Sequence, residues 1–84
     1  MVQRFKVSGN SMYPTLKDGE YVLTEKISYY FKNPKIGEII VADSGKKLVK
    51  RIVKKFGSYY FIKGDNKGGG LIHKKDIIGK VILV

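Results

Sequence analysis

Cysteine is absent from the 84 residues, so neither a disulfide nor a thiolate metal site contributes. Histidine is almost absent: His73 stands alone, and one imidazole does not make a zinc site. Long apolar runs are missing as well. "IIVA" at 39–42 and "VILV" at 81–84 are the longest, against the ~20 residues a helix needs to cross a bilayer. The opening "MVQRFKV" carries no signal-peptide apolar core. The expectation is a soluble or surface-lying chain with no metal and no cofactor. Acidic residues are few, seven against seventeen Lys and Arg, for a net charge of +10. The excess sits in residues 46–84, with eleven cations and two acids, whereas residues 1–45 hold six and five. That asymmetry favours an anionic partner, a nucleic acid or an anionic lipid surface. Fifteen of the cations are lysine, however, the poorer choice for bidentate phosphate or base recognition. A solvated strand face accounts for the same charge.

Helical spacing is also lacking: no stretch of twelve or more residues combines it with caps, although "ISYYFKN" has room for one helical turn. The pattern present has period two. Strands are expected from Arg4 to Val7, over 20–31 as one long or two short strands, and over 37–43, 46–56, 58–64 and 76–84. "NPKIG", "DSGKK", "FGS" and "DNKGGG" carry turn chemistry between them, and the glycines at 68–70 read as a flexible loop. The fold class is all-β: a small coiled antiparallel sheet or partial barrel. A chain of this length buries roughly 60% of its unfolded surface and reads as one domain over 1–84.

Two residues stand out chemically. In "GNSMYPTL", Ser11 sits in a turn between a strand and Pro14. Its hydroxyl either bonds locally, as turn serines do, or attacks a carbonyl and then needs a base. In "KLVKRIV", alternation places Leu48, Lys50 and Ile52 on one face and Val49, Arg51 and Val53 on the other. If the Leu48/Ile52 face is buried, desolvation disfavours the Lys50 ammonium, and a neutral amine can deprotonate a serine. A lysine there can instead extend its charge to water. Arg51 stays protonated and cannot serve as base.

"GNSMYPTLKDGEYVL" resembles the nucleophile segment of type I signal peptidases, with its Ser-Met-x-Pro-Thr motif. "PKIGEIIVA", "LVKRIV", "FIKGDNK" and "DIIGKVILV" resemble the family's later segments in the family's order, over nearly the whole chain. The resemblance implies a minimal catalytic domain of the signal peptidase and LexA-like type, a Ser–Lys serine endopeptidase without membrane anchor or inserted β-domain. Ser11 would be the nucleophile, its backbone N–H an oxyanion donor, and Lys50 the general base. Gly9 stands where some members carry a second oxyanion hydroxyl. Met12 would pack beneath the site and Pro14 shape the turn, while Asp65 and Asn66 would order the loop near Lys50. Arg51 matches an arginine that usually meets acids. The family's Ser-x-Asp-Ser-Arg stretch does not follow "GDN" here, so Arg51 could turn to Asp65. The hydroxyl that orients Lys50 would come from Ser44, Ser58, Thr15 or water. Some relatives use a histidine base in place of this lysine, but His73 falls in a basic loop.

The implied substrate is a signal- or leader-type peptide cut after small residues, bound extended beside strand 3–9. Tyr29, Tyr30, Phe31 and Lys32 either pack in the core or rest on an anionic membrane surface, with or without a membrane-anchored partner. Two other readings share the chain: a soluble maturation or self-processing protease, and a non-catalytic basic β-domain binding nucleic acid through "YYFIKGDNK". The resemblance does not favour nucleic acid.

Overall fold

A strand of alternating character buries one face only when neighbours satisfy its backbone, and here each finds a partner. The computed structural model describes residues 2–83. Its strands are β1 (Val2–Lys6), β2 (Tyr21–Glu25), β3 (Ile39–Asp43), β4 (Lys47–Phe56), β5 (Tyr59–Lys63), β6 (Gly69–His73) and β7 (Ile77–Leu83). They form one open sheet in the order β1-β2-β7-β3-β4-β5-β6, each adjacent pair antiparallel. The all-β antiparallel expectation therefore holds. The last strand was expected to reach Val84, which lies outside the described residues.

Three segments depart from the reading. The 20–31 stretch is a strand only to Glu25; a four-residue helix, α1 (Ser28–Phe31), follows. The Glu25 carboxylate accepts a hydrogen bond from the Ser28 N–H at 2.8 Å, turning the chain where β-branching alone would have continued it. The glycines at 69 and 70 belong to β6, not to a flexible loop, and His73 ends that strand rather than sitting in a basic loop. Gly69 lies so close to the Ile62 carbonyl that any Cβ would overlap it, which explains the glycine in an ordered ladder.

Alternation divides the apolar side chains between two clusters. Ile40, Ile52, Tyr60 and Ile62 centre one; Val7, Met12, Leu16 and Val22 form the other. Neighbours in sequence go to opposite sides: Ile39 packs against the second cluster and Ile40 within the first. Each such side chain, fully buried, contributes roughly 1.5–3 kcal/mol. Tyr29 packs against the first cluster and donates its hydroxyl to Glu38 at 2.7 Å, whereas Tyr30 and Phe31 are exposed. Of the three aromatics in the run, one packs on the core and two lie at the surface.

Candidate functional site

The Ser11 loop is built from two anchors. Where β1 ends, the Val7 N–H donates to Glu20 O at 2.7 Å and the Gly19 N–H to Val7 O at 2.8 Å, closing residues 8–18 into a loop. Within it, the Tyr13 N–H reaches Asn10 O at 3.1 Å and the Leu16 N–H reaches Met12 O at 2.8 Å. That last bond spans one helical turn, so Met12 and Leu16, four apart, project the same way and are almost completely buried. Met12 is buried in the second apolar cluster with Val7, Leu16 and Val22. Pro14 is exposed and follows a cis peptide bond from Tyr13. Gly9 has φ +85°, the left-handed region that favours glycine, and donates its N–H to Asp18 at 2.8 Å. Its N–H is thus occupied, and it has no side chain to offer as a second oxyanion donor.

A second segment holds this loop from outside. The Asn66 N–H donates to Ser11 O at 2.7 Å, and the Asn66 side chain reaches Asn10 O at 3.4 Å. Gly64 packs against Ser11, where a Cβ would lie 2.9 Å from the serine Cβ and closer still to its carbonyl oxygen. Asp65 accepts from Arg51 Nε at 2.9 Å and Nη2 at 3.0 Å and from the Thr15 hydroxyl at 2.5 Å. The Arg51 bonds, with Thr15 adding, hold the Asp65 carboxyl below its usual range. Arg51 also donates to Gly37 O at 2.8 Å. Arg51 does turn to Asp65. The Gly-Asp-Asn segment grips the serine loop directly.

Ser11 and Lys50 line one open cleft of about 250 Å³. Among the described contacts no hydrogen bond joins the two side chains, and the Ser11 backbone N–H has no partner. Lys50 is half-buried and stands opposite Ile40 in the β3–β4 ladder, while Ile52, next on its face, is fully buried. Burial holds the Lys50 amine below its ordinary value, and repulsion from Lys67 and Lys46 adds to this. Thr15 is committed to Asp65, and Ser44 and Ser58 belong to the β3–β4 and β4–β5 turns. Besides Ser11, Ser8 also lines the cleft with Lys50, a hydroxyl the sequence reading did not name. Its signal was alternation: Lys6 and Ser8 are two apart on the continuation of β1.

The walls of the cleft are strands with free edges. Among the described residues, β1 pairs only with β2, and the Lys47–Lys50 half of β4 pairs only with β3, because β5 joins β4 from Arg51 onward. A further depression of about 680 Å³ follows β1 along Gln3, Arg4 and Phe5 and shares Lys47 with the cleft. His73 lies elsewhere: its Nδ1 accepts from the Lys75 N–H at 3.1 Å, and its ring meets Tyr59 edge-on at 5.0 Å. In the "YYFIKGDNK" segment Tyr60 is buried, leaving Tyr59 as the more exposed ring.

Residues 1–58 match the family described as signal peptidase, peptidase S26. Signal peptidase I of Aquifex aeolicus is 31% identical over 87 aligned positions, covering 96% of this chain and 34% of that protein. The Synechocystis protein named "Probable signal peptidase I-1" is 34% identical over 58 positions, 56% of this chain and 30% of the relative. The chloroplastic thylakoidal processing peptidase 1 of Arabidopsis thaliana is 43% identical over 35 positions, 42% of this chain and 10% of its own length. The chain thus spans about a tenth to a third of the length of these curated relatives.

Proposed function

We propose, starting from the fact that this chain belongs to the signal peptidase (peptidase S26) family, that residues 1–84 are one catalytic domain of a serine endopeptidase. Ser11 is the nucleophile and Lys50 its general base. The observation that carries the reading is that Ser11 and Lys50 line the same cleft, with burial holding the Lys50 amine below its ordinary value. In the attack, Ser11 Oγ adds to the scissile carbonyl and Lys50 Nζ takes its proton. The unpartnered Ser11 N–H is available to the oxygen that becomes negative. Lys50 then returns the proton to the leaving amine, and water releases the acyl-enzyme by the same route. Asp65, Asn66, Arg51 and Gly64 position the serine loop.

The substrate is an extended signal- or leader-type peptide. It lies between the free edges of β1 and the first half of β4, taking backbone hydrogen bonds from both. A cleft this small favours small side chains beside the scissile bond, so cleavage follows residues such as alanine. The exposed Ile27, Tyr30 and Phe31, flanked by Lys26 and Lys32, support contact with an anionic membrane surface.

The test is cleavage of a peptide with an Ala-x-Ala site by wild type, Ser11→Ala and Lys50→Met. Each substitution lowers kcat by at least ~10³ while circular dichroism stays unchanged. Undiminished cleavage by either variant would remove that residue from the dyad.

A further inference from the structure

The cleft that holds Ser11 and Lys50 is lined by five lysines, Lys6, Lys46, Lys47, Lys50 and Lys67, and by no Asp or Glu. They converge from four places: the end of β1, the β3–β4 turn, β4 itself and the loop after β5. Two of the three neighbouring acids are turned to other work, and the third makes no ion pair with the cleft lysines. Asp18 accepts from the Gly9 N–H, Asp65 is held by Arg51 and Thr15, and Asp43 stands opposite Lys47 at the far end of the β3–β4 ladder. The ion pairs among the described residues, Arg51–Asp65 and Lys80–Glu38, involve none of the five. A solvated face needs no such convergence around a concave site. Like charges brought together at a cleft repel, and a bound anion relieves that repulsion.

What anion fits is decided by the walls. Both long sides of the cleft offer unpaired strand edges, whose N–H and C=O groups a peptide backbone satisfies and a lipid headgroup or nucleic-acid strand does not. We infer that this cleft selects peptides carrying an acidic side chain within two residues of the scissile bond, the lysines other than Lys50 pairing with that carboxylate. The inference rests on the peptidase reading for its occupant and adds a charge requirement to the small-residue one. Lys46 and Lys67 are the selecting pair, since they are also the two cations close enough to bear on Lys50.

Binding separates this inference from the chemistry. Ser11→Ala is titrated, by fluorescence anisotropy at low salt, with three labelled peptides that share an Ala-x-Ala core and carry Asp, Asn or Lys beside it. The Asp peptide binds about tenfold more tightly than the Lys peptide, and the ratio falls several-fold in 0.5 M NaCl. In Ser11→Ala/Lys46→Gln/Lys67→Gln the ratio collapses towards one. Equal binding of the three peptides, or a preference that survives the lysine substitutions, overturns the inference. So does a single-stranded oligonucleotide, or a phosphatidylglycerol vesicle, that displaces the Asp peptide through the same two lysines. Absence of cleavage by wild type alongside an intact Asp preference would strike the dyad and leave the charge selection standing.

Discussion

At the scale of single residues, the decisive property is the state of one amine. The Lys50 amine is held below its ordinary value by burial and then by Lys67 and Lys46. In the proposed role of base only the neutral amine is active, so kcat/KM is expected to rise with pH through this lowered pKa. Lys67→Gln removes a repelling cation, which moves the amine back upward, so the rising limb shifts to higher pH. A limb that stays in place in Lys67→Gln would show that Lys67 does not tune the base. Asp65→Asn weakens the clasp on Arg51 and Thr15 and lets the serine loop drift; kcat is expected to fall about 10- to 100-fold with little change in stability. Ser11, Lys50, Arg51 and Asp65 were all visible in the sequence as residue types in a family's order. Alternation along "KLVKRIV" gave Lys50 a buried neighbour, and Ile52 is indeed fully buried. Ser8 was passed over because its only signal is its place two residues beyond Lys6, and strand period is weak where a strand is ending.

At the scale of elements, the serine loop is a packed object rather than a flexible connection. Met12 and Leu16 pin it from below, and the Gly64–Asn66 segment pins it from the side. Met12→Ala is expected to cost about 2–5 kcal/mol, read as a lower urea midpoint with an unchanged slope. Gly64→Ala forces a Cβ onto the Ser11 backbone, a clash typically costing about 1–3 kcal/mol. Activity should fall more than stability, because the displaced atoms belong to Ser11, the proposed nucleophile. Strand existence was legible for β1 to β5 and β7, since each carries a run of alternating or β-branched residues. β6 was not legible, because "GGLIH" opens on the residues that ordinarily mark loops. Gly69 is there for close approach to Ile62, a fact about a neighbour that composition does not express. The short helix was only half legible: "ISYYFKN" left room for a helical turn, yet its β-branched and aromatic residues also read as a strand, and the Glu25 side chain meets the Ser28 N–H where the strand stops.

For the molecule as a whole, two apolar clusters share one sheet, and the strands joining them carry most of the cohesion. Ile52 belongs to the first cluster, and its backbone binds both Gly37 and Glu38, tying β4 to the start of β3. An 84-residue fold has roughly 4–13 kcal/mol of stability in total. Ile52→Ala, at about 2–5 kcal/mol, removes a large part of that and should lower the thermal midpoint by many degrees without changing the charge dependence of peptide binding.

The free edges of β1 and of the first half of β4 have one more effect. A guest backbone laid between them would act as a missing stave: β1, β2, β7, β3, β4 and the guest would form a closed hoop, with β5 and β6 as a flap outside it. Occupancy would then stiffen a barrel wall that runs from the cleft along the whole of β1. Amide hydrogens along Gln3–Lys6 in Ser11→Ala should exchange with solvent more slowly once a peptide is seated.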